Sequence, residues 1–372
     1  MTFGGFYRGR RVLVTGHTGF KGSWLAHWLL SLGAEVHGVA LAPATEEALF
    51  TALNLAPRLQ HRLLDVRDAD ALTAAVAEIR PEVVLHLAAQ SLVRPSYRDA
   101  RGTWETNVGG TVNLLEAMRA VPGIAACVVV TSDKCYANRE QGAGYREDDP
   151  LGGHDPYSAS KAAMEIVTAS YRQSFFAGTP LRIATARAGN VIGGGDWADE
   201  RVITEFLATI GAGRPLALRH PLAVRPWQHV LEPLNGYLTL AQALYTEGPK
   251  HAQAWNFGPY EFSDRSVGWI VERLHSLWGN PVAWEPDTGL NPHEAGYLKV
   301  DYSMARAVLG WSPKLDLDTT LQWIVDWTLA HRDGDAMREM TLAQIRGFRS
   351  LPDYQPSSQN ERVGQSLYSM PS

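Results

Sequence analysis

The sequence predicts an α/β fold built on a doubly wound parallel sheet, with a smaller and discontinuous second lobe. Short apolar segments alternate with amphipathic helical patterns from residue 11 to about residue 187, the order expected for parallel strands joined by helices. The strand segments are almost wholly apolar, as expected when helices cover both faces of a sheet. A glycine-rich turn joins the first strand to the first helix. These observations indicate an opening βαβ unit with parallel strands.

The elements follow from apolar spacing and from the residues that end each segment. The first strand covers 11–15 and stops at Gly16, and apolar residues at helical spacing from Trp24 to Leu32 predict the first helix. Gly33 ends that helix, and a second apolar strand follows at 35–40. Further strands are predicted near 62–64 and at 83–87, 127–132, 181–186 and 254–257, and further helices at 68–79, 106–118, 157–176, 231–244 and 318–329.

The alternation breaks after Arg187, where three consecutive glycines at 193–195 and several prolines interrupt the pattern. We therefore expect a sheet domain of residues 1–187 plus 231–258. The second lobe would comprise residues 188–230 plus 259–350. The polar tail, residues 351–372, is expected to be mobile because it lacks the branched apolar residues that a packed segment needs.

The composition is that of an ordinary globular protein. Of 372 residues 45% are hydrophobic and 20% are charged, which excludes a disordered chain. The net charge of -5 provides no basic field for nucleic acid or for an anionic membrane surface. No apolar run approaches the roughly 18 residues that span a bilayer, and the apolar stretch after the N-terminal arginines is too short for a signal peptide. Because there are only two cysteines, we expect a cytoplasmic protein.

The turn after the first strand reads Gly16-His17-Thr18-Gly19-Phe20-Lys21-Gly22. It lies where backbone must approach a pyrophosphate closely, and its three glycines predict a dinucleotide-binding Rossmann domain. A plain tight turn would explain only one of these glycines. His17 and Lys21 either add charge near the phosphates or are solvated. The acidic residue expected roughly 20 residues further on is missing from 36–41, so this pattern leaves NAD and NADP open.

Three more residues are candidate cofactor contacts. Asp65 and Val66 follow the third strand and are placed to bind adenine, and Asn107 is placed to support backbone near the nicotinamide. The alternatives are a helix cap for the first pair and a helix-surface amide for Asn107.

A second pattern carries acid-base chemistry. Tyr157 and Lys161 are four residues apart and so share one face of a helix. A phenol is a poor base at neutral pH, but a nearby lysine cation and a positively charged nicotinamide would lower its pKa. Ser132 ends a predicted strand at the edge where ligands gather and would be the hydroxyl partner of Tyr157. The alternative for the tyrosine and lysine is a surface helix pair.

Asp133 and Lys134 place an acid and a potential base side by side after Ser132. Alcohol oxidation alone would not need them, whereas removal of water across two carbons needs a proton donor and a proton acceptor. The pair therefore fits elimination, and the alternative is a solvated charge pair in a turn.

The combination resembles the extended short-chain dehydrogenase/reductase family, and within it the nucleotide-sugar dehydratases. The resemblance spans about residues 10–330. It rests on the glycine turn, on Ser132-Asp-Lys134 and on the segments 153–161, 186–197 and 225–233. Relatives that act on dTDP-glucose or GDP-mannose carry glutamate where this chain has Lys134, and epimerases lack the acid-base pair.

The resemblance implies a lyase with bound NAD that converts CDP-glucose into CDP-4-keto-6-deoxyglucose and water, for deoxysugar biosynthesis. Tyr157 would deprotonate the C4 hydroxyl while hydride passes from C4 to NAD⁺, with Ser132 and Lys161 assisting. Lys134, as a neutral amine, would then remove the C5 proton while Asp133 protonates the departing C6 hydroxyl, and hydride would return to C6.

The resemblance also implies binding residues and a homodimer or a dimer of dimers. Cofactor contacts implied beside the turn are Leu87, Ala88 and Ala89, and substrate contacts are Gln90, Arg94, Asn190, Arg201 and Arg225. No metal, nucleic-acid or membrane partner is expected. The readings left open are an epimerase or dehydratase for another nucleotide sugar, and a non-catalytic NAD(P)-sensing module.

Overall fold

The computed structural model describes residues 2–212, 215–260, 263–279, 284–287, 289 and 296–352. The tail from residue 353, most of the segment expected to be mobile, lies outside the described residues.

The strands are β1 (Arg11–Thr15), β2 (Glu35–Ala40), β3 (Gln60–Leu63), β4 (Val83–His86), β5 (Ala126–Val130), β6 (Arg182–Arg187), β7 (Val191–Ile192), β8 (Leu216–Leu218), β9 (Val224–Pro226), β10 (Gln228–His229), β11 (Ala254–Asn256), β12 (Asp264–Ser266) and β13 (Trp284–Pro286). The helices are α1 (Phe20–Ser31), α2 (Leu49–Ala52), α3 (Ala69–Ile79), α4 (Val93–Arg98), α5 (Ala100–Trp104), α6 (Gly110–Ala120), α7 (Pro156–Ser174), α8 (Val202–Ala212), α9 (Leu231–Glu247), α10 (Val267–Trp278), α11 (Ser303–Leu309), α12 (Leu317–Arg332) and α13 (Met337–Ser350). Single 3-10 turns lie at Ala56–Arg58, Asp133–Cys135 and Pro249–His251.

Within the described residues, seven strands form one parallel sheet in the order β11-β6-β5-β4-β1-β2-β3. Val12 of β1 is paired with Val36 of β2 on one side and with Val83 of β4 on the other. The strand order therefore reverses direction at β1, and the carboxyl ends of β1 and β4 border the crevice where such sheets bind ligands. The predicted doubly wound parallel sheet is confirmed.

The core lies on both faces of this sheet because successive strand side chains point to opposite sides. On one face Val12 and Val14 pack with Trp24 and Trp28 of α1 and with α9. On the other face Leu13 joins the apolar sides of α3, α6 and α7. A third cluster is built from α8, α10 and α12 together with β8, and it covers the segment where the sequence alternation breaks.

The C-terminal helix α13 packs against α1, and its Phe348 belongs to the sheet-domain core. The predicted division into two lobes stays a prediction.

No helix in the described part of the chain combines the length and the apolar character needed to cross a bilayer.

One predicted helix differs from the structure. The segment predicted as a regular helix at 106–118 begins with a π-helical turn, Glu105–Gly109, and only then continues as α6. The wider turn coincides with the buried side chain of Asn107, whose hydrogen bonds tie α7 to the loop after β4.

Candidate active site

A cavity of about 660 Å³ lies at the carboxyl edge of the sheet and extends to the third core cluster. Most of the predicted site residues border it: Gly16, the segment 18–22, Asp65, Val66, the segment 87–89, Arg94, the segment 132–134, Tyr157, Lys161, Asn190, Arg201 and Arg225. His17, Gln90 and Asn107 are not among the lining residues; His17 and Asn107 are fully buried and Gln90 is half-buried.

The glycine turn is packed so tightly that side chains are excluded at two of its positions. A Cβ on Gly16, whose φ is +74°, would lie 2.7 Å from the amide nitrogen of Ala88. A Cβ on Gly22 would lie 2.0 Å from the carbonyl oxygen of Gly16. At the N-cap of α1, Gly19 has no side chain to accept from the first-turn amides. The turn therefore presents free N–H groups and a helix N-terminus to the cavity, which fits a pyrophosphate.

The neighbouring residues frame the adenosine end of this cradle. The hydroxyl of Thr18 donates to the carbonyl of Leu41 at 2.9 Å, at the place where the acidic residue was missing from the sequence. Nε of Arg67 donates to Asp65 Oδ2 at 2.9 Å, and this partner lowers the pKa of that carboxyl. The His17 ring packs below Gly38 rather than into the cavity, and burial lowers its pKa to about 4, so it is neutral at neutral pH.

The loop after β5 carries the acid-base pair. Ser132 Oγ accepts from the backbone N–H of Lys134 at 3.2 Å and donates to Asp133 Oδ1 at 3.0 Å. Burial raises the pKa of the Asp133 carboxyl, although the cations of Lys134, Lys21 and Arg225 oppose this. Its second oxygen, Oδ2, is buried and accepts no hydrogen bond from any described residue. A buried carboxyl that is easily protonated and has one oxygen unused is suited to donate a proton to a bound ligand.

Helix α7 presents Tyr157 and Lys161 to the same space. Its start is fixed by Asp155, whose side chain accepts from the N–H of Ser158 at 2.9 Å. Burial raises the pKa of the Tyr157 phenol to about 12, and the neighbouring Ser132 side chain opposes this rise. Nζ of Lys161 donates to the carbonyl of Val130 at 3.3 Å. Burial and repulsion from Lys21 lower the pKa of Lys161 to about 7. The ammonium is thus close to its titration point at neutral pH.

Asn107 and Gln90 connect the elements that carry the site. The amide nitrogen of Asn107 donates to the carbonyl of Gln90 at 3.0 Å and to Ser160 Oγ at 2.8 Å. Its Oδ1 accepts from the N–H of Gln90 at 2.8 Å. Asn107 is fully buried and is not a helix-surface amide. It ties the loop after β4 to α7, and the Gln90 side chain itself bonds to Leu92 and Thr103.

Basic side chains also line the cavity. Arg201, at the start of α8, is paired with Asp196. Arg225, on β9, donates to the carbonyls of Val224 at 3.0 Å and Gly296 at 3.2 Å. Asn190 has a positive φ of 43°, so it turns the chain between β6 and β7. Guanidinium groups are suited to phosphate oxygens.

Sequence reasoning missed three features of this site. A Cβ on Gly189 would lie 1.6 Å from Asp133 Oδ2, so glycine is required beside the predicted acid. Glu205 and Arg219, joined at 3.1 Å, also line the cavity. Buried Glu165 lies one turn after Lys161 on α7, which is a spacing that the sequence displays. No local signal marks Gly189 or the pair, since both depend on contacts between distant segments.

Comparison with known proteins gives the family. The model of the family described as GDP-mannose 4,6 dehydratase matches residues 13–324. The chain belongs to this family. A CDP-glucose 4,6-dehydratase of Salmonella typhimurium is 47% identical over 350 residues, covering 93% of this chain and 98% of the relative.

More distant members of the family agree with this relationship. A dTDP-glucose 4,6-dehydratase of Streptomyces griseus is 31% identical, covering 86% of this chain and 94% of the relative. The solved structure of a dTDP-glucose 4,6-dehydratase from Streptomyces venezuelae with NAD and TYD bound superposes with a TM-score of 0.74 at 25% identity. That match covers 87% of this chain and 98% of the other. The predicted membership of the nucleotide-sugar dehydratases is confirmed.

Proposed function

We propose that this protein is an NAD-dependent 4,6-dehydratase that converts CDP-glucose into CDP-4-keto-6-deoxyglucose and water. The observation that carries the proposal is the convergence of Ser132, Asp133, Lys134, Tyr157 and Lys161 on one cavity that begins at the glycine turn. Oxidation alone has no use for a buried acid beside a lysine, whereas elimination needs both. The choice of CDP-glucose is supported by the 47% identity to the Salmonella dehydratase.

The chemistry that NAD supplies when bound is reversible hydride acceptance, so the overall reaction has no net redox change. The residues that would hold it are Gly16, Gly19 and Gly22, through the uncapped start of α1 and the close approach of the turn to β4. The residues present therefore fit a dinucleotide.

Tyr157 is the proposed base for the C4 hydroxyl. Burial raises its pKa to about 12, which is too high for this task. The Ser132 side chain lowers that pKa, and a negative Asp133 raises it. Protonation of Asp133 therefore helps Tyr157 to ionise, which couples the acid of the second step to the base of the first.

Asp133 and Lys134 are the proposed pair for water loss. Asp133 Oδ2 would donate its proton to the C6 oxygen, which leaves as water when the C6–O bond breaks. Lys134, half-buried at the cavity wall, would take the C5 proton as a neutral amine. The electron pair of the C5–H bond forms the C5–C6 double bond, and the proton later returns to C5.

The arginine side chains that line the cavity suit the phosphates of a nucleotide. Arg201, Arg225 and Asn190 are the proposed phosphate ligands, and Arg94 is a proposed sugar contact, since all four line the cavity. Gln90 contributes through its place in the loop after β4, since its side chain is engaged with Leu92 and Thr103.

The test is turnover of a substrate panel. Purified protein is incubated with NAD and, separately, CDP-, dTDP-, UDP- and GDP-sugars, and mass spectrometry reports loss of one water. We expect turnover of CDP-glucose alone. Turnover of a different nucleotide sugar would overturn the CDP assignment, and a product of unchanged mass would indicate an epimerase. Bound cofactor without turnover of any sugar would favour the sensing module.

Variants separate the two half-reactions. Asp133→Asn and Lys134→Ala are expected to keep the oxidation, seen as reduced nicotinamide, and to lose dehydration by at least about 100-fold. Lys250→Ala is the matched control because Lys250 is paired with Glu247 at an exposed position. Unimpaired dehydration in both variants would contradict the acid-base assignment.

We also propose that the protein is a homodimer. Large apolar side chains are exposed on α7 and on the neighbouring helices α4 and α5: Ile166 is 59% exposed, Tyr97 45% and Trp104 40%. The three helices pack against one another, and exposed large apolar side chains are typical of protein interfaces. Sedimentation should give twice the chain mass, and Ile166→Glu should shift it to the monomer. A monomeric wild-type protein would refute this.

A further inference from the structure

The buried carboxylate of Glu165 lies one helical turn beyond Lys161 on α7. Three donors hold it in place. The hydroxyl of Thr131 donates to Oε1, the hydroxyl of Thr185 donates to Oε2 at 2.6 Å, and Nη2 of Arg187 donates to Oε2 at 2.9 Å. Both partners of the ion pair are only 3% exposed at the side chain. Burying two charges is costly, and apolar residues of the same size would often be at least as stable.

The Glu165–Arg187 ion pair connects α7 to the loop after β5 that carries Asp133 and Lys134. Nη1 of Arg187 donates to the Tyr136 hydroxyl at 2.7 Å, and the guanidinium lies 4.9 Å from the centre of that ring. Tyr136 follows directly after the 3-10 turn Asp133–Cys135. Thr131 lies between Val130, whose carbonyl accepts from Lys161, and Ser132. A displacement of Glu165 would therefore reach both halves of the proposed catalytic group.

The charges that face Lys161 come from several elements. Burial disfavours the charged form of Lys161, and Lys21 of α1 repels its ammonium group. Glu165 of α7 and Cys135 of the loop after β5 favour the charged form. His86 of β4 is neutral at neutral pH because burial lowers its pKa to about 3. Burial raises the pKa of the Cys135 thiol well above its ordinary value, so this thiol carries no charge at neutral pH. Glu165 is then the carboxyl group that favours the charged form of Lys161 and opposes the effect of Lys21.

We infer that Glu165, clamped by Arg187, is a positioning residue that keeps Lys161 cationic and directed at the Val130 carbonyl beside Tyr157. This inference rests on the proposed function, since it assigns a purpose to the charge on Lys161 in that reaction. A purely structural ion pair would stabilise the fold without changing the titration of Lys161.

The test measures that titration directly. Full-length protein carrying ¹³C at lysine Cε is titrated by NMR with and without NAD, and the Lys161 signal is identified by its loss in Lys161→Arg. Glu165→Gln should move the Lys161 midpoint at least about one pH unit lower, since it removes a nearby opposite charge. Glu165→Asp should keep the midpoint close to wild type because the charge remains. Glu116→Gln, a charge removal at a partly exposed position on α6, is the matched control and should leave the midpoint unchanged.

A second variant covers the case in which Glu165→Gln does not fold with Arg187 left unpaired. Glu165→Gln/Arg187→Met removes the buried pair as a unit and should move the midpoint in the same direction but by less, because the loss of the Arg187 cation partly offsets the loss of the Glu165 charge. A midpoint unchanged or raised in the folded variants would overturn the inference. Because the titration needs no turnover, a wild-type protein that ignores CDP-glucose would refute the proposed function without affecting this measurement. In active protein, the alkaline limb of the rate profile should move to lower pH in the same variants.

Discussion

Replacing Gly189 with alanine should stop water elimination while leaving the first oxidation intact. The new Cβ would lie 1.6 Å from Asp133 Oδ2, whereas an ordinary contact needs about 3.5 Å. The carboxylate would therefore move by about 2 Å. A misplacement of about 1 Å at a reacting group can cost about 100-fold in rate, so dehydration should fall at least that much.

The fold should survive this change because the displaced atom is the end of a side chain. We expect a loss of about 1–3 kcal/mol in the free energy of unfolding. Gly22→Ala is different, since its Cβ would meet a backbone oxygen at 2.0 Å. The two glycines thus separate damage to chemistry from damage to the fold.

The assay combines thermal unfolding, the absorbance of reduced nicotinamide and mass spectrometry of the product. Gly189→Ala should accumulate reduced cofactor and unreacted or oxidised sugar, without loss of water. Gly142→Ala is the matched control, because a Cβ there meets nothing within 4 Å. Dehydration within a few-fold of wild type in Gly189→Ala would refute the placement of Asp133 as the acid.

Three further predictions follow from the site and the core. Gly22→Ala should lower the melting temperature, because the new Cβ would lie 2.0 Å from the carbonyl oxygen of Gly16. In Gly19→Ala the Cβ would lie 3.4 Å from the same oxygen, so this variant should keep the melting temperature but lose NAD affinity, measured by calorimetry. Equal melting temperatures in the two variants would contradict the packing argument. Tyr157→Phe should abolish the oxidation, so rapid-mixing spectra should show no reduced nicotinamide, and a normal transient would remove Tyr157 from the role of base. Burial lowers the pKa of His229 from 6.5 to about 3, so the unfolded chain binds the extra proton. The free energy of unfolding should therefore fall as pH drops below about 6.5, and denaturant titrations should show a smaller fall in His229→Gln; an equal fall would assign the acid sensitivity to other groups.

The sequence by itself determined the elements whose signal is local. The apolar runs of β1 and β4 predict buried parallel strands because each strand needs apolar side chains on both faces. The glycine turn predicts the dinucleotide site because only glycine allows the close approaches seen at Gly16 and Gly22. The four-residue spacing of Tyr157 and Lys161 fixes their common helix face before any tertiary contact forms.

The tertiary structure decided which distant groups share an environment. The sequence allows two interpretations of Asn107, a helix-surface amide or a cofactor contact. The structure places its side chain by hydrogen bonds to Gln90 and Ser160, which are 17 and 53 residues away. The spacing of Glu165 from Lys161 is local, but its three donors come from the residue after β5 and from β6. Contacts of this kind depend on the order and register of strands, which periodicity does not encode. Desolvation shifts the pKa values of Asp133 and Lys161, and it exists only once the sheet, α7 and the other segments that line the cavity have packed around them.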